Sequence, residues 1–132
     1  MSFKTTQRDV ETRFAAQWTE TPIAYENVDF TKPSNASWVR LTIIDGSGKP
    51  YGIMGSTGQA VDNGLISVQV FVPEGTGTQE AKRLADEILP IYQDTRFSGI
   101  VTYIATVNTV GVGNGWHQTN VTIPYKRVRS VT

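Results

Sequence analysis

Between Leu65 and Val72 the chain alternates without a break. Ile66, Val68, Val70 and Val72 fall on one side, and Leu65, Ser67, Gln69 and Phe71 on the other. A period of two marks a strand with one buried face. A single such strand is not stable alone, so the rest of the chain must supply a sheet around it. The residues for one are present: 14 Val, 10 Ile and 17 Thr make 41 of 132, against only 4 Leu and 8 Ala. β-Branched side chains are stiff at χ1 and suit the pleated surface of a sheet, so helices are expected to be few.

Two helices are readable. Val10, Phe14 and Trp18 recur every four residues, which predicts a helix from about Thr5 to Trp18, with Thr6 and Asp9 as a variant capping box. The second is stronger. Ala81, Leu84, Ala85, Ile88, Leu89 and Tyr92 follow the i, i+3, i+4, i+7 rule, with Thr76 and Gln79 as a capping box and Pro90 as a kink or stop.

Further strands are expected within Thr21–Phe30, at Trp38–Ile44, at about Gly99–Val110 and at Trp116–Arg127. Asp45–Pro50 reads as a loop, Tyr51–Val61 as an irregular edge strand or a loop, and Asn63-Gly64 as a turn. Asn114-Gly115 reads as a tight hairpin turn. The expected fold is α+β, in the order α-β-β-(β)-β-α-β-β: a mostly antiparallel mixed sheet with two main helices packed on it. At 132 residues this is expected to be one domain, 1–132.

Charge and composition narrow the function. Twelve Lys and Arg balance twelve Asp and Glu, which disfavours a strongly basic nucleic-acid binder. With no Cys there is no disulfide scaffold, zinc knuckle or thiol chemistry. No apolar run reads as a signal peptide or is long enough to span a membrane, so synthesis in the cytoplasm and no membrane partner are expected.

Catalytic constellations are absent from the pattern. The one histidine, His117, sits in a strand, and a lone His without Cys cannot build a His-based metal site. There is no Gly-x-Ser-x-Gly elbow and no Walker lysine motif. Gly75-Thr76-Gly77 opens a helix, but Glu80 replaces the third glycine of a dinucleotide fingerprint. No enzyme activity, metal or cofactor is expected. Lys126, Arg127 and Arg129 make a basic tip, which leaves a small nucleic-acid-binding module as a lesser alternative. Glycine is concentrated instead, with six of twelve in residues 45–64 and three in 111–115. Long glycine-rich segments in a compact domain suit contacts made during assembly.

Several runs together resemble a known family. They are Thr21-Pro22-Ile23-Ala24-Tyr25-Glu26-Asn27-Val28-Asp29-Phe30, then Trp38-Val39-Arg40, then Gly64 through Pro73. Gly75-Thr76-Gly77 ahead of the Leu84-Ala85-Asp86 helix follows, and the close is Gly115 through Tyr125. In order and spacing these resemble the tail terminator, or tail-completion, proteins of long-tailed bacteriophages. The resemblance implies a structural, non-enzymatic virion protein. It would form a homo-oligomeric, hexameric ring at the head-proximal end of the tail, assembled in the host cytoplasm. Its implied partners are other copies of itself, the tail tube protein and the head-tail connector or neck protein. Genomic DNA would pass through the lumen without sequence-specific binding. The alternative is a neck or head-closure protein of the same virion. Contacts with tube, neck or neighbouring subunit are expected at residues 49–58 and in the Gly111–Gly115 hairpin. The most contact-capable side chains there are Lys49, Tyr51, Met54, Val112 and Trp116.

Overall fold

The computed structural model describes residues 3–50 and 59–130. The elements run α1 (Phe3–Gln17), β1 (Ile23–Tyr25), β2 (Trp38–Pro50), β3 (Gln59–Pro73), α2 (Gln79–Tyr92), β4 (Arg96–Phe97), β5 (Ile100–Thr102), β6 (Thr106–Gly113) and β7 (Trp116–Ser130). The strands form one seven-stranded sheet in the order β1-β2-β3-β7-β5-β4, with β6 also paired to β7. β1 runs parallel to β2, and every other pairing is antiparallel. This is the α+β architecture the composition predicts.

The alternation in β3 works as read. Ile66, Val68, Val70 and Val72 are fully buried and face the helices. Val39, Leu41 and Ile43 of β2 and Val121, Ile123 and Tyr125 of β7 join them. From the helix layer, Val10 and Phe14 of α1 meet Ala81, Leu84, Ala85, Ile88 and Tyr92 of α2 in the same core. Phe14 stacks on Trp18 at 5.5 Å between ring centroids. Arg13 interrupts the apolar stripe of α1, yet it ties the helices together. Its Nε donates to the Ile91 carbonyl at 2.6 Å, and its guanidinium lies 4.6 Å from the Phe97 ring centroid.

Several local expectations are corrected. β2 does not stop at Ile44: it continues to Pro50, with a bulge between Asp45 and Gly48 that absorbs the glycine-rich run. Asn63-Gly64 is not a turn but lies inside β3, where Gly64 pairs with Asp45 and Tyr125. A Cβ at Gly64 would lie 2.6 Å from the Ile44 carbonyl oxygen and 2.8 Å from the Tyr125 ring. The glycine serves close approach, not reversal. Of the ambiguous run Tyr51–Val61, the last three residues belong to β3, and the others lie outside the described residues.

Neither capping box forms. Thr6 sits inside α1, buried, and its hydroxyl accepts from Arg127 at 2.9 Å. α2 starts two residues later than Thr76 would place it: Thr78 is its N-cap, without a side-chain bond, while the Thr76 hydroxyl donates to the Pro73 carbonyl. α2 passes Pro90 and ends two residues later, at Tyr92. The strand expected over Gly99–Val110 is broken into β5 and β6. Ahead of β5, Ser98 and Gly99 both take positive φ in a two-residue turn from β4. The Asn114-Gly115 turn forms as read, with φ of 55° and 84°.

Candidate functional site

The two described helices cover one face of the sheet. The other face carries a second, smaller cluster, built because Trp38 and Phe71 are direct partners in the β2–β3 register. Their rings stack at 4.1 Å. Phe30 packs on Trp38 at 5.3 Å, and Trp116 meets it edge-on at 5.9 Å. The Arg40 guanidinium lies 5.4 Å from both the Trp38 and Phe71 centroids, and Lys32 lies 6.0 Å from Trp38. Such cation–π contacts let a charged group cover an aromatic surface that no helix covers.

Between this cluster and the β6–β7 hairpin lies a cleft of about 330 Å³, bordered by Lys32, Arg40, Val112, Trp116 and Gln118 among others. Arg40 reaches Gln69 Oε1 at 3.4 Å, and no described carboxylate lies within ion-pair distance of Arg40 or Lys32. The cleft therefore offers aromatic faces, two cations and amides. These groups can hold a partner, and the cleft contains no nucleophile paired with a base.

The structure spreads the expected contact residues over two ends of the molecule. Val112 is exposed in β6, and Trp116 is half-buried against Trp38 at the start of β7. Lys49 is exposed near the far end of β2, paired with Val61. Trp116 pairs with Pro73, so the two ends are separated by residues 61–73 of β3, about 40 Å of strand. Tyr51 and Met54 lie outside the described residues. Sequence reading missed Trp38, Phe71, Arg40 and Lys32 as one group. The available signal was an aromatic residue on the more polar face of each of two strands, but only the register joins them.

The other chemical candidates resolve into structure. His117 is half-buried between Val72 and Val112 in neighbouring strands. The basic tip comes apart: Arg127 is buried and bonds Thr6 and Asp9, the latter at 3.3 Å. The side chain of Arg129 lies outside the described residues. Gly75 and Gly77 adopt φ near 90° in a turn into α2. Glu80 is held below the usual carboxylate range by its hydrogen bonds from Arg83, on the surface of α2. Burial raises Tyr92 and Tyr125 above the ordinary tyrosine range. Among the described residues no His, Asp and Glu cluster has metal-site geometry, and no helix is long and apolar enough to cross a membrane.

A family described as phage tail terminator protein matches residues 7–125. One similar solved structure superposes with a TM-score of 0.71 at 21% identity, covering 98% of this chain and 96% of the other. At that identity the likeness concerns the fold. No curated protein sequence matches.

Proposed function

The chain belongs to the phage tail terminator family, structural proteins of the phage tail, and on that premise we propose that it works as a homo-oligomeric ring of six copies. The ring caps the head-proximal end of the tail tube, ends tube polymerisation and offers a surface to the head-tail connector. The observation that carries this reading is the family match over residues 7–125. Physical features support it. A chain of zero net charge can surround passing DNA without the phosphate binding that would stall it. The far ends of β2 and β3 and the β6–β7 hairpin extend contact surface to both ends of a long sheet. Lys49 at one end, and Val112 and Trp116 at the other, are the proposed contacts with tube, connector or neighbouring subunit.

The test is co-sedimentation of the purified protein with assembled tubes of the cognate tail tube protein, with native mass measurement of the free protein. Saturable binding at substoichiometric ratio, confined to tube ends, with a ring of defined copy number, is the expected result. A protein that ignores tubes and binds the connector alone is a neck protein, and overturns the terminator reading.

A further inference from the structure

Apart from Phe3 on α1, the large apolar side chains that are exposed among the described residues fall in two groups. Val28, at 61% exposure, and Ile44, at 48%, lie at the β1–β2 edge of the sheet. Ile104 at 66%, and Val110 and Val112 at 58% each, lie along the opposite side, in and beside β6. In β1-β2-β3-β7 order, with β6 beyond β7, these two strips bound the same sheet from opposite sides.

The backbone repeats the pattern. β6 pairs only with β7, so its outer row of N–H and C=O groups meets no described strand. Its eight residues, Thr-Val-Asn-Thr-Val-Gly-Val-Gly, include no charge and no proline. Soluble proteins guard long edges with charges, prolines or a covering element, and β6 has none of these. On the other side, β1 covers β2 only at Val39, Arg40 and Leu41. Glu26 Oε1 accepts the Ile43 N–H at 2.9 Å, and beyond it the outer edge of β2 runs on to Pro50 with no described strand beside it.

We propose that these two edges join copies of this chain head to tail. The β6 edge of one copy, with Val110 and Val112, docks on the β2 edge of the next, with Val28 and Ile44. The occupant is a second copy because the two strips lie on opposite edges of one sheet. They cannot cover each other within a molecule, but they meet whenever copies repeat in one direction. Such a contact is heterologous, and it closes into a ring when the rotation per copy allows. Zero net charge leaves no long-range repulsion between copies. The inference rests on the ring reading above and adds to it the surfaces that meet.

The chain contains no cysteine, so introduced pairs report without background. Val28→Cys and Val112→Cys are made separately, and treated with a short bis-maleimide in the presence of tail tubes. Mixing the two variants is expected to give a cross-linked dimer that neither gives alone. The double variant is expected to give a ladder ending at the copy number of the ring. Cross-linking of either single variant to itself, or no mixed dimer in a sample whose native mass shows a ring, overturns the edge assignment and leaves the ring reading standing. A native mass of one copy, with and without tubes, overturns both. As a second measurement, Val112→Glu is expected to raise the concentration needed for assembly at least tenfold with an unchanged circular dichroism spectrum. Lys82→Glu, exposed on α2, which packs over the central strands β3 and β7, is expected to leave it unchanged, and equal effects of the two variants count against the proposal.

Discussion

Replacing Tyr92 by Phe should have opposite consequences at neutral and alkaline pH. The Tyr92 hydroxyl is buried and donates to the Val10 carbonyl at 2.6 Å, linking α2 to α1. Phe keeps the ring contacts with Phe14 and Phe97 and removes only this bond. At pH 7 the expected cost is about 1 kcal/mol, the net worth of one such hydrogen bond. Burial also raises the Tyr92 pKa in the folded state, because the phenolate would lose its hydration. A group whose folded pKa is raised contributes its full stability below the unfolded value, about 10 for tyrosine, and loses it as pH climbs beyond. Above that point the unfolded state gives up a proton that the folded state keeps. The native protein then loses about 1.4 kcal/mol per pH unit through this one residue. The variant has no such group. The gap between the two proteins should close near pH 10.7, where about 1 kcal/mol has been lost, and then reverse. Urea unfolding followed by tryptophan fluorescence at pH 7, 10 and 11 reads this directly. Tyr25 and Tyr125 titrate in both proteins and cancel in the comparison. A gap that stays constant from pH 7 to 11 would refute the argument that Tyr92 is held neutral by burial.

Other substitutions test other parts of the fold. Gly64→Ala should cost about 1–3 kcal/mol in thermal unfolding, because its Cβ meets backbone at 2.6 Å, whereas a turn glycine of ordinary geometry would tolerate it better. Trp38→Ala should cost about 3–5 kcal/mol and Trp116→Ala distinctly less, since Trp38 is 2% exposed and Trp116 is half-buried; the reverse ranking would mean that the open-face cluster is misassigned. Thr78→Ala should change stability by less than the typical ~1 kcal/mol of an N-cap, because its side chain makes no capping bond; a full loss in the melting curve would contradict the observed cap geometry.

Much of this fold is legible in the sequence wherever a pattern is long and has one buried face. The Leu65–Val72 part of β3 and most of α2 are read from their periods, and Asn114-Gly115 from its turn chemistry. The failures share a cause. Glycine and asparagine signal a turn locally, but a long sheet overrides them. Asp45–Pro50 continues β2 because β3 lies alongside and a bulge absorbs the mismatch. Gly64 is glycine because a strand carbonyl and the Tyr125 ring come too close for a side chain. Neither fact is visible without the partner strand. The same holds for the candidate site. Val112 and Trp116 stand out in the hairpin by sequence, but the Trp38–Phe71 stack requires register, and the two apolar edges require strand order. Arg127 reads as part of a basic surface until the packing of α1 on β7 brings Asp9 and Thr6 to it.

The measurement that bears most directly on the central claim is the length of tail tubes polymerised from purified tube protein with increasing amounts of this chain, imaged by electron microscopy. The account predicts shorter tubes, each carrying one ring-shaped cap at a single end, with Val112→Glu needing at least tenfold more protein for the same shortening. Tubes of unchanged length without caps, at concentrations where the protein is folded and in excess over tube ends, would contradict it.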